Sequence, residues 1–271
     1  MAEPLAFHKY EGLGNDFVVV DAEQEGVLGS KQAAWLCDRH VGIGADGILL
    51  VLPPRRPGCD VRMRVINADG SVPEMCGNGI RCVAIHVARR LGLVSGTVRV
   101  DTDAGPRRCE VDDGDGAGVV SVEMGAVRVL ADRTIEVEGH SLALTLADIG
   151  NPHAVLMGAF DRSTVERVGA RLAVHSAFPH GTNVEFAHVS PDGVDLVVWE
   201  RGVGLTLACG TGACAASAVV CAKGLAPYGV PLAVRLPGGQ LDVRVESDGR
   251  TTMRGPARSV FSGSIPAARP V

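Results

Sequence analysis

Two short turns in this chain carry residue types able to move a proton on and off carbon. Cys76-Gly77-Asn78-Gly79 and Cys209-Gly210-Thr211-Gly212 each set a thiol one residue before a Gly-x-Gly run that opens an Ala/Val-rich stretch. Glycines allow close backbone approach, and the first N–H groups of a helix lack intrahelical partners. Each turn can therefore cradle a carboxylate, through Gly77, Asn78 and Gly79 or through Gly210, Thr211 and Gly212. The same N–H groups and the helix dipole are expected to lower the pKa of a thiol at the first position, making a thiolate accessible near neutral pH. One such turn would read as a buried, inert thiol. Two at matched positions can face each other across a cleft and supply a base on one side of a carbon and an acid on the other.

The match is part of a longer internal repeat. The two cysteines are 209 − 76 = 133 positions apart, and the same offset relates Asn67, after Arg64-Val65-Ile66, to Glu200, after Val197-Val198-Trp199. Gly14-Asn15, followed by Asp16-Phe17-Val18-Val19-Val20, is echoed by Gly150-Asn151, followed by Pro152-His153-Ala154-Val155-Leu156. A repeat on this scale predicts two halves of like architecture.

The elements needed to position these turns are legible in outline. Val-rich or alternating runs predict strands at 17–21, 48–52, 62–66, 97–100, 119–124, 194–199, 230–236 and 241–245, and helices are predicted at 32–39, 80–91, 164–172 and 213–222. Asp112–Gly118 reads as a hairpin loop. The boundary is expected just after Met124-Gly125, giving halves 1–124 and 125–259, with a tail 260–271 packing on the first half. The uncharged run from Gly202 to Ala222 is long enough to span a bilayer, but it is broken by a Gly-rich turn and rich in small residues. It reads as strand, turn and a helix buried inside the protein.

Composition narrows the function. With 271 residues the chain has room for two domains, and 46% hydrophobic against 21% charged residues places it among globular proteins. A net charge of −5, with basic residues no denser than pairs, argues against nucleic acid as a partner. The N-terminus shows no apolar core after a basic start, so a reducing cytoplasm with eight free thiols is expected. The spacings Cys76-x5-Cys82, Cys209-x4-Cys214 and Cys214-x6-Cys221 do not form the CxxC pairs of a zinc site, so no metal is expected.

Taken together, Asn67-Ala68-Asp69-Gly70-Ser71, Met75-Cys76-Gly77-Asn78-Gly79-Ile80-Arg81-Cys82, Gly150-Asn151-Pro152-His153, Glu200-Arg201-Gly202-Val203-Gly204 and Ala208-Cys209-Gly210-Thr211-Gly212-Ala213-Cys214 resemble the diaminopimelate epimerase family, from Gly14-Asn15-Asp16-Phe17 to the end of the chain. The resemblance implies an α/β fold of two pseudo-symmetric domains, each a mostly antiparallel, barrel-like sheet around a central helix. It also implies cofactor-independent interconversion of LL- and meso-diaminopimelate, on the lysine and peptidoglycan precursor pathway, by a homodimer without nucleic-acid or membrane partners. Cys76 and Cys209 match the two catalytic cysteines, and His153 and Glu200 the polar residues beside them. Pairing His153 with Cys76 and Glu200 with Cys209 is one arrangement that the sequence leaves open. Asn15, Asn67, Asn78, Asn151, Asn183, Glu200 and Arg201, with Gly77, Gly210 and Thr211, match substrate-holding positions, Arg201 suiting a bidentate grip on a carboxylate. Cys37, Cys59, Cys82, Cys109, Cys214 and Cys221 are read as core or incidental thiols.

Three positions depart from the family's pattern. Gly47 follows Gly42-Ile43-Gly44-Ala45-Asp46 where some members carry a substrate-contacting Gln, Leu205 stands where a Glu is frequent, and Phe261 replaces a Tyr tied to dimer formation. Two other readings compete. Proline or hydroxyproline racemases share the two-thiol logic but tend to carry His where Asn78 stands, and activity on proline would identify one. A non-enzymatic anion-binding relative would need neither thiol.

Overall fold

The computed structural model describes residues 4–266 except 115 and 117. In chain order the elements are β1 (Leu5–Gly12), β2 (Asn15–Asp21), α1 (Ser30–Cys37), β3 (Gly47–Leu52), β4 (Val61–Asn67), α2 (Gly77–Arg90), β5 (Ser95–Asp101), β6 (Arg107–Asp112), β7 (Val119–Ala126), β8 (Arg128–Val137), β9 (His140–Asp148), β10 (Pro152–Met157), α3 (Arg162–Ala173), β11 (Asn183–Ser190), β12 (Gly193–Glu200), β13 (Gly204–Thr206), α4 (Gly210–Ala222), β14 (Leu232–Leu236), β15 (Gly239–Val245), β16 (Arg250–Pro256) and β17 (Arg258–Ile265). They pack as two units, Met1–Val122 with Gly255–Val271, and Glu123–Arg254. Residues 1–3 and 267–271, which the expected halves and tail include, lie outside the described residues.

In the first unit the strand order is β17-β1-β2-β3-β4-β5-β6-β7, antiparallel except at β2–β3 and β4–β5. The sheet curves around α2, which packs against β1 to β6 and β17. That position explains why α2 is buried from Gly77 to Ala88: a helix ringed by strands has no wet face, and each buried Val or Ile contributes about 1.5–3 kcal/mol. On the other side of the sheet, α1 seals a second core of Leu36, Val18, Val20, Ile48 and Leu50. With a helix on each face, β3 is buried at all its residues and reads as the unbroken apolar run Gly47-Ile48-Leu49-Leu50-Val51-Leu52.

The second unit repeats this plan. Its order is β8-β9-β10-β11-β12-β14-β15-β16, antiparallel except at β10–β11 and β12–β14, with β13 paired to the end of β12. Helix α4 packs against β8 to β12, β14 and β15, and α3 covers the outer face with Val165, Val168 and Leu172. The two units thus share the same alternation of parallel and antiparallel neighbours, each around its own central helix.

The predicted elements are present with shifted ends. Both central helices begin three residues earlier than predicted, at Gly77 and Gly210, because the glycines form the first helical turn itself. Strand β14 starts at Leu232, after Pro231, which has no N–H to give a sheet. The strands outside the predicted set are β1, β6, β8, β9, β10, β11, β16 and β17; among them β17 is exposed along nearly its whole length, β8 buries only Ile135 and Val137, and β11 carries Glu185 among its buried residues. The run from Gly202 to Ala222 resolves into β13, a turn and α4. Among the described residues no helix is long and apolar enough to cross a membrane. Residues 112–118 connect the antiparallel β6 and β7, with Asp112 opposite Val119.

Candidate active site

In the first unit, Cys76 caps α2 and its sulfur accepts the Gly79 N–H at 3.4 Å. A Cβ on Gly79 would lie 2.8 Å from Leu49 Cδ2 and 3.4 Å from the sulfur, so a larger residue there would push the Leu49 side chain aside. Asn78 is buried, and its carboxamide bridges the helix to the strands. Its Oδ1 accepts from Arg81 at 3.0 Å and its Nδ2 donates to Asn15 Oδ1 at 3.1 Å. Asn15 in turn donates to Asp46 at 2.7 Å, and Asp46 accepts the Asp16 N–H at 3.1 Å and pairs with Arg39 at 2.8 Å. Burial pushes the Asp16 carboxyl up, but the Arg39 guanidinium and Lys9 ammonium outweigh it and hold the pKa down to about 2. Asn67 closes the turn after β4, donating to Ser71 Oγ at 2.9 Å. Gly47 lies opposite Asn67 across β3 and β4, and a Cβ there would sit 3.0 Å from the Ile66 carbonyl.

In the second unit, Cys209 caps α4, is 5% exposed, and has Thr211 Oγ1 3.5 Å from its sulfur. Unlike Cys76, Cys209 accepts no capping hydrogen bond from its helix through the side chain, and the Gly212 N–H three residues on acts on the sulfur only weakly. Glu200, at the end of β12, accepts from Thr206 Oγ1 at 2.7 Å and interacts electrostatically with the Cys209 thiol. Here the expectation of a lowered thiol pKa is corrected. Burial raises Cys209 well above its ordinary value, the charges of Glu200 and Glu185 add to this, and the Thr211 and Gly212 hydrogen bonds are too weak to reverse it. Burial also raises the Glu200 carboxyl, with Thr206 and Cys209 opposing.

His153, on β10, is 1% exposed, with Nδ1 2.6 Å from Glu185 Oε1 and Nε2 3.0 Å from Asn151 Oδ1. The parallel register that pairs His153 with Asn183 brings the two strands together at this point. Asn183 is occupied at both ends of its amide, donating to the Pro152 carbonyl at 3.2 Å and accepting the Arg201 N–H at 2.9 Å. Arg201 is exposed and anchors one nitrogen to the His180 carbonyl at 2.9 Å. Within this unit His153, Glu200 and Cys209 come together as one electrostatic group.

Glu185 belongs to that group and was missed. It lies within Asn183-Val184-Glu185-Phe186, where the apolar neighbours do mark a buried strand; a fully buried acid in such a strand demands a partner. The remaining cysteines are thiols rather than disulfides, and burial pushes Cys82 up to about 12. Among the described residues one other group could collect a cation, His8, Asp21 and His86. Asp21 is already paired with both Arg90 and His86, so its charge is met from within the chain.

The chain matches the family model described as diaminopimelate epimerase over residues 7–130 and 145–260. The diaminopimelate epimerase of Synechococcus sp. (strain JA-3-3Ab) is 42% identical over 290 residues, spanning 97% of this chain and 99% of that protein. That of Desulforudis audaxviator (strain MP104C) is 44% identical over 283 residues, spanning 96% and 98%. Among solved structures, a hydroxyproline epimerase from Agrobacterium vitis with bound trans-4-hydroxy-L-proline matches with a TM-score of 0.74 over 97% of this chain and 92% of its own, at 19% identity, a likeness of fold.

Proposed function

The chain belongs to the diaminopimelate epimerase family, and from that premise we propose that it interconverts LL- and meso-diaminopimelate by moving the α-proton between Cys76 and Cys209. One sulfur, as thiolate, takes the proton from the α-carbon. The electron pair left behind is delocalised toward the neighbouring carboxylate, and the other sulfur, as thiol, delivers its proton to the opposite face. The sulfurs exchange protonation states, so the reverse reaction uses the same groups with their roles swapped. No cofactor or metal is called for, because the proton balance closes on the two thiols.

The observation that carries this reading is that the family's two cysteines each stand at the N-cap of the central helix of a unit, each followed by Gly-x-Gly in the first helical turn. The N–H groups of Gly77 and Asn78, and of Gly210 and Thr211, cradle the carboxylate next to the reacting carbon, where negative charge develops. Asn15, Asn67 and Asn151 offer side-chain contacts, Arg201 grips the distal carboxylate, and Asn183 holds the Arg201 backbone. Glu200 and His153 set the protonation of the Cys209 side. The protein is read as a cytoplasmic homodimer serving the lysine and peptidoglycan precursor pathway. Val260 and Phe261, exposed on β17, offer the apolar surface for pairing.

The test is proton NMR with LL-diaminopimelate in D2O. The α-proton signal should disappear as the meso isomer forms, with no added pyridoxal phosphate and with chelator present. Exchange on proline but not on diaminopimelate would replace this reading with the racemase one.

A further inference from the structure

Glu185 is a buried ionisable group beside the proposed site that the proton transfer described above leaves unused. It is fully buried, and so is the imidazole that it contacts. Its carboxyl faces ionisable groups from three packed elements: His153 on β10, Glu200 on β12, and Cys209 at the start of α4. The contact with α4 is close. A Cβ on Gly212 would lie 3.0 Å from Glu185 Oε1 and 3.3 Å from the Cys209 sulfur.

The hydrogen-bond partners of the imidazole point to how many protons the pair holds. With the Asn151 carboxamide oriented as it stands, His153 Nε2 faces Oδ1, an acceptor, and on that orientation Nε2 carries a proton. His153 Nδ1 faces Glu185 Oε1 at 2.6 Å, and one proton must lie between them. Two protons on an imidazole and a carboxyl make a pair with no net charge, whichever of the two partners carries the shared proton. The other oxygen of Glu185 fits this count. Oε2 is buried with no hydrogen-bond partner, a position tolerable for an oxygen of a neutral pair and costly for one bearing uncompensated charge. Burial also drives the Glu185 carboxyl toward its protonated form.

We propose that Glu185 is a positioning residue for the reaction: it holds His153 in a two-proton, net-neutral pair with Nε2–H directed at Asn151, leaving Glu200 as the single uncompensated carboxyl against Cys209. Two consequences follow for a site whose sulfur must pass between thiol and thiolate. A second full negative charge at the Cys209 turn would oppose the thiolate, and the neutral pair removes it. The Nε2–H contact orients the side chain of Asn151, one of the residues assigned to the substrate. This inference rests on the two-thiol reading for its effect on turnover, while the proton count of the pair can be measured without it.

The first experiment is long-range 15N–1H correlation on histidine-labelled wild-type protein at about pH 7, with the His153 signals assigned from a His153→Gln variant. Nε2 should be protonated. An imidazole protonated at Nδ1 alone would mean a net negative pair and overturn the proposal. The second experiment is kinetic. Glu185→Leu, matched in bulk, leaves Nδ1 without its partner and should lower kcat by roughly 10- to 100-fold and raise KM. Glu185→Gln can donate its amide N–H to Nδ1, so it keeps Nε2–H, and it should recover most of that loss, with an alkaline limb of the pH–rate profile displaced from that of wild type. Equal activity and pH profiles for wild type, Glu185→Leu and Glu185→Gln would overturn the role. If Glu185→Leu does not fold, the wild-type correlation and the Glu185→Gln profile still decide. Failure of the wild type itself to exchange the α-proton would instead sink the proposed function.

Discussion

The Asn78 carboxamide ties the first turn of the central helix to the start of β2, donating to Asn15 Oδ1 at 3.1 Å while accepting from the buried Arg81 guanidinium at 3.0 Å. The side chain that reads as a substrate contact is therefore also a strut, and its removal should be felt twice. Asn78→Ala should cost about 1–3 kcal/mol of stability, since it strips an acceptor from a buried charged group. It should also raise KM for diaminopimelate by freeing Asn15. Denaturant unfolding and steady-state kinetics on one preparation check both; a stability loss with unchanged KM would restrict Asn78 to the strut role.

Cys76→Ala and Cys209→Ala should each reduce epimerisation by roughly 1,000-fold or more, because either direction needs a base on one face and an acid on the other. Cys82→Ala and Cys214→Ala should stay active and lose on the order of 1 kcal/mol, as buried thiols in packed helices. Near-normal turnover in Cys209→Ala would move the proton transfer on that face to Glu200.

A methyl group at position 212 would meet Glu185, Val198 and the Cys209 sulfur together, at 3.0, 3.2 and 3.3 Å. Gly212→Ala should thus shift the thiol rather than unfold the helix, where alanine is intrinsically favoured by about 1 kcal/mol. Turnover should drop about 10- to 100-fold with little change in Tm. A parallel loss of both would show that the turn cannot form at all.

Asp16 predicts a stability change in acid. Its folded pKa of about 2 lies below the unfolded value near 3.9, so its contribution is present above about pH 4 and disappears as pH falls toward 2. In denaturant titrations, Asp16→Asn should be less stable than wild type at neutral pH, with the gap closing between about pH 4 and pH 2. A gap independent of pH would mean that the folded chain does not favour the ionised Asp16 carboxylate over its protonated form.

Phe261 stands exposed on β17 while its ring meets Phe7 edge-on at 5.8 Å between centroids. If β17 is the pairing surface, Phe261→Asp should weaken self-association at least tenfold. Sedimentation over a concentration series measures it. An unchanged association constant would put the dimer surface elsewhere.

The site could be read from the sequence where chemistry and backbone coincide. The paired Cys-Gly-x-Gly turns identify two helix starts because glycine, a thiol and an apolar run must follow in that order, and the structure places each thiol at the N-cap of a buried helix. Glu185 escaped because its significance is tertiary: nothing within Val184-Glu185-Phe186 says that His153 stands beside it, 32 positions away on a parallel strand. The direction of the Cys209 pKa escaped for the same reason, since a helix start favours the thiolate locally, while burial first and then the Glu200 carboxyl from another element oppose it. Among the strands, β17 and β8 show that exposed strands are fixed by their neighbours' open edges and leave little apolar periodicity to find.

The two helix caps have a cost in the folding of each unit. Stability alone would select Asp, Asn, Ser or Thr at an N-cap, and would avoid glycine at the first and third helical positions, yet both helices begin Cys-Gly-x-Gly. Directed evolution for heat resistance, run without selection for activity, should therefore rewrite these turns early. Cys76→Asp would gain an oxygen acceptor for the helix N–H groups, and about 0.5–1 kcal/mol, in the same step that abolishes turnover. Both turns run against the capping preferences of a helix start, and a homologue selected only for thermal resistance would change at those positions first.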